Sequence, residues 1–210
     1  MEPRGGSAVC PQCGRADDAV LGQLFIVTGA SASGKTTVLA PLTRRLQGRC
    51  VTFDTDLLID AAAALNPGQP IIQPAFRDAW LAVAHGVAQS EMPTVLLGPF
   101  IPDHLRDLPS RRWTGGIHFI VLDCPDELRR DRINARPAWR RRDTEEQVEF
   151  GRWLRRNIPD RVDTSSGTPE DTAAAITAWI DRHLTDTETP EGNDLRLGTV
   201  KLSALSQFRW

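Results

Sequence analysis

Gly29-Ala30-Ser31-Ala32-Ser33-Gly34-Lys35-Thr36 fits G-x-x-x-x-G-K-[ST] at every fixed position, directly after the apolar run Leu24-Phe25-Ile26-Val27 and directly before a stretch of helical character. Each residue type there answers a physical need. Glycines at 29 and 34 admit backbone angles that a side chain forbids, so successive N–H groups can curl around a phosphate. A helix starting near Lys35 adds the positive end of its dipole, the Lys35 ammonium reaches the β- and γ-phosphates, and the Thr36 hydroxyl offers Mg2+ a hard oxygen. Small residues at 30–33 leave the loop uncrowded. Chance explains the match poorly, because only Lys35 and Lys201 are lysines against 23 arginines. The nucleotide-binding set expected here is Gly29, Ala30, Ser31, Ala32, Ser33, Gly34, Lys35, Thr36 and the adjacent Thr37, with ATP and Mg2+ as ligands and Lys35 also catalytic.

Around this loop, short apolar runs alternate with longer helical segments. Strands are expected at 24–27, 50–53, 94–97 and 118–122, with a short one at 161–163. Helices are expected at 35–46, 57–65, 75–89, 125–134 and 145–157, the second stopped by the Asn66-Pro67-Gly68 turn. Thr168 as N-cap, Pro169 at N1 and Asp171 at N3 open a last helix. The strands are nearly continuous apolar runs, as burial on both faces requires, which argues for an α/β fold with an open parallel sheet covered by helices on both sides. A chain of 210 residues buries roughly 70% of its unfolded surface in one core. One domain is therefore expected at 21–186, between a polar leader at 1–20 and a tail at 187–210, where Leu202, Leu205, Phe208 and Trp210 either pack back or trail free.

The second strand ends in Phe53-Asp54-Thr55-Asp56. Strand ends of an open parallel sheet face the ligand crevice, and alternate residues of extended chain point the same way. Asp54 is accordingly assigned toward the metal, with Thr36, and Asp56 to the acceptor as general base or binding group. The alternative for Asp56 is to cap the following helix. Asp123, at the end of the fourth strand, is a rival for the metal or the start of the next helix. Gly98, after the third strand, gives an acceptor close access to the backbone. Arg77, with Trp80 and the turn at 70–74, either lines the acceptor pocket or belongs to a packed helix. His104 is a candidate acceptor contact, whereas His85 and His118 read as structural.

Arg129, Arg130, Arg132, Arg136, Arg140, Arg141 and Arg142 crowd one segment. Phosphoryl transfer spreads negative charge over the γ-oxygens, and guanidinium groups on a closing lid at about 132–144 stabilise it while excluding water. Arg132 and Arg136, four apart on one helical face, are the catalytic pair, and Trp139 stacks on a base or anchors the lid. A nucleic-acid patch and a solvated charged face are the competing readings. Interleaved acids at Asp131, Asp143, Glu145 and Glu146 and a net charge of −2 disfavour a continuous phosphate-backbone track.

No apolar run approaches the ~20 residues of a membrane helix and the N-terminal stretch has no signal-peptide core, so a cytoplasmic location without membrane contact is expected. Cys10-Pro11-Gln12-Cys13-Gly14 is half of a zinc knuckle. Neither Cys50 nor Cys124 has a CxxC partner to complete four ligands, so the pair reads as part of a solvated leader.

Taken together, the loop at 29–36, Phe-Asp-x-Asp at 53–56, the Leu128-x-x-x-Arg132-x-x-x-Arg136 helix and Val162-Asp163-Thr164-Ser165 before the last helix resemble the small P-loop kinases, the group of shikimate, gluconate and nucleoside or nucleotide kinases. The similarity spans about 22–184. It implies a three-layer fold with a five-stranded parallel sheet, Mg-ATP as donor, Asp54 near the metal, Asp56 on the acceptor hydroxyl, Arg132 and Arg136 in lid closure, and Thr164 in a segment beside the adenine. Gly98-Pro99-Phe100 stands where shikimate kinases carry a Gly-Gly-Gly turn, so the acceptor does not carry over. The activity expected is γ-phosphoryl transfer from ATP to a small molecule such as a nucleoside, nucleotide, sugar acid or natural product. The alternatives are a nucleotide-binding switch or accessory ATPase acting on a protein partner, and a polynucleotide 5′-kinase.

Overall fold

Double-sided burial, which the apolar runs demand, is met in the computed structural model, which describes residues 2–4, 7–65, 73–138 and 142–185. The turn at 66–68, most of that at 70–74, Trp139, Arg140, Arg141 and the tail at 187–210 lie outside the described residues. The elements are β1 (Glu2–Arg4), β2 (Ser7–Val9), β3 (Ala16–Asp18), β4 (Gly22–Thr28), α1 (Lys35–Leu46), β5 (Val51–Asp54), α2 (Leu57–Leu65), α3 (Gln73–Ala88), β6 (Thr94–Leu97), β7 (Thr114–Asp123), α4 (Asp126–Asn134), α5 (Thr144–Asn157), β8 (Arg161–Asp163) and α6 (Pro169–Thr185). A five-stranded sheet runs in the order β5-β6-β4-β7-β8. Its strands are parallel: β5 pairs with β6 from Val51↔Thr94 to Asp54↔Leu97, and β7 with β8 from Val121↔Arg161 to Asp123↔Asp163. Leu24, Phe25, Ile26 and Val27 of β4 are fully buried, the condition for a strand covered on both faces.

The chain divides into two compact units. The first runs to Ile26 and over Leu46–His118. Its helix α3 buries Trp80, Leu81, Ala84 and Ala88, a helical stripe, and Trp80 meets Phe53 at 5.5 Å between ring centroids. His85 stacks on Trp113 at 5.1 Å and His118 on Phe25 at 5.2 Å, so both imidazoles serve packing. The second unit, Val27–Arg45 and the chain from Phe119 onward, is built on α5, which buries Gln147, Val148, Phe150, Gly151, Trp153 and Leu154, and on α6. The expected cap of α6 is present. Thr168 Oγ1 accepts from the Asp171 N–H at 3.2 Å, and Asp171 Oδ2 accepts from the Thr168 N–H and hydroxyl, both at 2.8 Å; the two bonds to Oδ2 hold the Asp171 carboxyl below the usual carboxylate range.

Two differences from the sequence reading have backbone causes. Residues of the polar leader form a three-stranded antiparallel sheet, β1-β2-β3. Backbone pairing closed by a tight turn at 10–15 needs no apolar run, so composition is silent there. Strand β7 begins at Thr114, ahead of the apolar run. Gly115 and Gly116 lack the side chains that mark a strand, and a Cβ on Gly115 would come within 3.0 Å of the Leu21 carbonyl oxygen.

Candidate nucleotide site

The loop after β4 owes its shape to two residues in the left-handed region, Ala32 at φ 63° and Gly34 at φ 97°. For alanine this is a costly conformation, held by the bonds around it. Gly29 is required for space rather than angle, since a Cβ there would strike Ser33 Oγ and lie 2.8 Å from the Leu122 carbonyl oxygen. Lys35 folds back over the loop, and its Nζ donates to the carbonyls of Gly29 at 2.5 Å and Ala30 at 3.1 Å. Thr36 and Thr37 are exposed on the first turn of α1.

Side chains from α4, α5 and the segment after β8 grip the same loop. The Ser31 N–H donates to Gln147 Oε1 at 2.7 Å, and the Ser31 carbonyl accepts from Arg129 Nη1 at 3.2 Å. Arg136 Nη1 donates to Ser31 Oγ at 2.8 Å, and Arg132 Nη1 to the Ala32 carbonyl at 3.4 Å. Arg132 also holds the Thr164 carbonyl through Nη2 at 2.7 Å, and Thr164 Oγ1 lies 3.1 Å from the Ser33 carbonyl. The expected residues Lys35, Arg132, Arg136 and Thr164 are thus brought together on residues 29–33. Arg132 lies on α4 itself and Arg136 just past its end.

Asp123 is placed differently from a metal ligand. Its Oδ1 accepts from Arg129 Nη2 at 2.7 Å and its Oδ2 from Arg155 Nε at 2.6 Å, so guanidinium groups occupy both oxygens. Arg129 is fully buried, and Gly151 makes room for it, since a Cβ there would sit 2.9 Å from Nη2. Gln147, which holds the loop, and Arg155, which pairs with Asp123, were not singled out in the sequence, and Arg129 only as one of a cluster. The available signal was a polar residue and a glycine inside the apolar stripe of α5.

The acceptor candidates belong to the first unit. Asp54 Oδ1 accepts the Asp56 N–H at 3.0 Å, an Asx turn that leaves Asp56 exposed at the start of α2. Thr55 is buried and its N–H donates to the Leu97 carbonyl at 3.0 Å. A Cβ on Gly98 would collide with the Thr55 side chain, so this glycine is accounted for by packing that fixes the Asp54–Asp56 turn. Arg77 is half-buried, its Nε has no partner among the described residues, and burial pushes it down to about 10. Burial, and then the Arg77 charge, pushes His104 down to about 3.

That value makes a stability prediction. The folded pKa of His104, about 3, lies below the ordinary 6.5, so only the unfolded chain takes the proton as pH falls. The contribution is whole above pH 6.5 and is lost progressively toward pH 3. Between pH 7 and pH 5 about 1–2 kcal/mol should disappear. Thermal melts at the two pH values should show a smaller difference for His104→Gln than for the native chain.

A parallel sheet with a G-x-x-x-x-G-K-T loop between its middle strand and α1 defines a nucleotide-binding P-loop protein with the fold of the small kinases. The chain belongs to the AAA domain family, whose model matches residues 26–151. Among solved structures it is similar to the tunicamycin resistance protein of Deinococcus radiodurans, with TM-score 0.58 and 19% identity over 76% of this chain and 95% of that one. It is also similar to the shikimate kinase of Aquifex aeolicus, with TM-score 0.52 and 17% identity over 78% and 99%. A gluconokinase of Sinorhizobium meliloti gives TM-score 0.51 and 19% identity over 79% and 97%. At these identities the likeness is one of fold. No curated protein matches the chain in sequence. No helix among the described residues is long and apolar enough to cross a membrane.

Proposed function

We propose that the chain is an ATP-dependent phosphotransferase that moves the γ-phosphoryl group of Mg-ATP to a small molecule bearing a hydroxyl or phosphate. The observation that carries this reading is the convergence of three cations on one phosphate loop: Lys35 on the Gly29 and Ala30 carbonyls, Arg132 on Ala32 and Arg136 on Ser31. A triphosphate draws the Lys35 ammonium off the carbonyls onto its β- and γ-oxygens, and Arg136 exchanges the Ser31 hydroxyl for the transferring group. Arg132 and Thr164 keep the loop and the segment after β8 in register. Each unit has an oxygen of the kind Mg2+ takes: in the second, Thr36 presents an exposed hydroxyl, and in the first, Asp54 spends one carboxylate oxygen on the Asp56 N–H and retains the other. The ion, when bound by hard oxygens, neutralises charge on the β- and γ-phosphates.

Asp56 orients the acceptor hydroxyl and takes its proton. Arg77, a cation without a carboxylate partner among the described residues, suits an acceptor that carries a carboxylate or phosphate of its own. Asp56→Asn tests the assignment. It should lower kcat for acceptor phosphorylation by about 10²–10⁴-fold and leave ATP affinity unchanged. Full transfer by the variant would remove Asp56 from the chemistry.

A further inference from the structure

We infer that Cys10 and Cys13 form half of a tetrahedral zinc site, completed by the same two cysteines of a second copy of the chain. The inference is independent of the phosphotransferase reading. The turn that joins β2 to β3 is built around the pair. The Cys10 N–H donates to the Arg15 carbonyl at 2.8 Å, the Gly14 N–H donates to the Cys10 carbonyl at 2.9 Å, and Gly14 adopts φ 72°. The chain therefore bends sharply at Cys10-Pro11-Gln12-Cys13 and carries both cysteines on one tight turn. Cys13 is exposed and Cys10 half-exposed, so neither thiol is sealed in the core.

Structural zinc takes four ligands in tetrahedral array. Among the described residues no group of three His, Cys, Asp or Glu side chains is arranged to hold a metal. The other cysteines of these 210 residues, Cys50 and Cys124, are buried. A twofold-related copy brings an identical pair, and a C2 contact that repeats the same patch on both copies supplies four sulfurs with compatible symmetry. The surrounding sheet calls for such a staple. Its strands are three residues long, and of the described side chains, those of β2 and β3, only Ala8 is buried; a sheet of strands this short gains from a metal cross-link. Each thiol releases its proton to solvent as the metal binds, so uptake should weaken as pH falls.

The test uses the full chain, reduced and stripped of metal, titrated with Co2+ and then Zn2+. The expected result is one metal per two chains and the intense visible absorption of a tetrahedral tetrathiolate Co2+ centre, bleached by Zn2+. Light scattering should show the mass doubling with metal and returning to monomer with EDTA. Cys13→Ser should lose metal uptake and the metal-dependent dimer while binding ATP as the native chain does. No uptake, one metal per monomeric chain, or uptake unchanged in the Cys10→Ser/Cys13→Ser variant would overturn the proposal. So would recovery of a Cys10–Cys13 disulfide that is indifferent to zinc under the same reduced conditions.

Discussion

Lys35→Ala weakens ATP binding by about 10²–10⁴-fold, as calorimetry or a fluorescent ATP analogue will measure. The side chain now donates to the Gly29 and Ala30 carbonyls. On binding it exchanges these for phosphate oxygens, and charge-assisted hydrogen bonds of that kind are worth about 1.5–3 kcal/mol each. Lys35→Arg should fail nearly as badly. A planar guanidinium cannot converge three donors on one compact point as an ammonium does, and Lys35 Nζ bonds the carbonyls of residues 29 and 30 from one such point. Arginine is otherwise this chain's almost exclusive cation, which makes the failure of Arg at this position the sharper result.

Arg129→Ala should be the most destabilising single substitution in the second unit, costing about 3–5 kcal/mol by denaturant melting. The guanidinium is fully buried between Asp123, the Ser31 carbonyl and Gly151. Its removal leaves a cavity and takes one of the two guanidiniums from a nearly buried carboxylate. It also frees the Ser31 carbonyl, so ATP affinity should fall with stability. Arg130→Ala is the contrast. Arg130 makes a two-pronged pair with Glu145 at 2.8 and 3.0 Å, yet that pair lies in solvent and its loss should shift the midpoint little.

Legibility followed the physics of each region. The loop at 29–36 could be read because it combines a rare residue, two glycines and a strand–helix context. The strands could be read because double-sided burial writes itself as apolar runs. The arginine segment was legible as a cluster and illegible as individuals, since charge count does not say which guanidinium faces inward. Arg132 and Arg136 both reach the loop, but Arg136 does so from just past the end of α4 rather than from the same helical face. Arg129 lies one turn earlier, and its burial depends on a missing side chain at Gly151, twenty-two residues away in sequence. Asp123 has the pattern of a metal-directed strand end, but pairing with Arg129 and Arg155 is a tertiary fact. Gly98 shows the converse: a glycine that suggests ligand access has a sufficient cause in the Thr55 side chain packed against it. The sheet at 2–18 was hidden because a backbone ladder closed by a turn leaves little trace in hydrophobicity.

Phosphoryl transfer itself is tested most directly by incubating the chain with Mg-ATP and a panel of nucleosides, nucleotides, sugar acids and hydroxylated natural products, reading acceptor mass. At least one acceptor should gain a phosphoryl group in proportion to the ADP formed, and none should do so with Lys35→Ala. ATP bound and hydrolysed at the same rate with every acceptor, without any phosphorylated product, would contradict the account and make the chain an ATPase acting on something other than a small molecule.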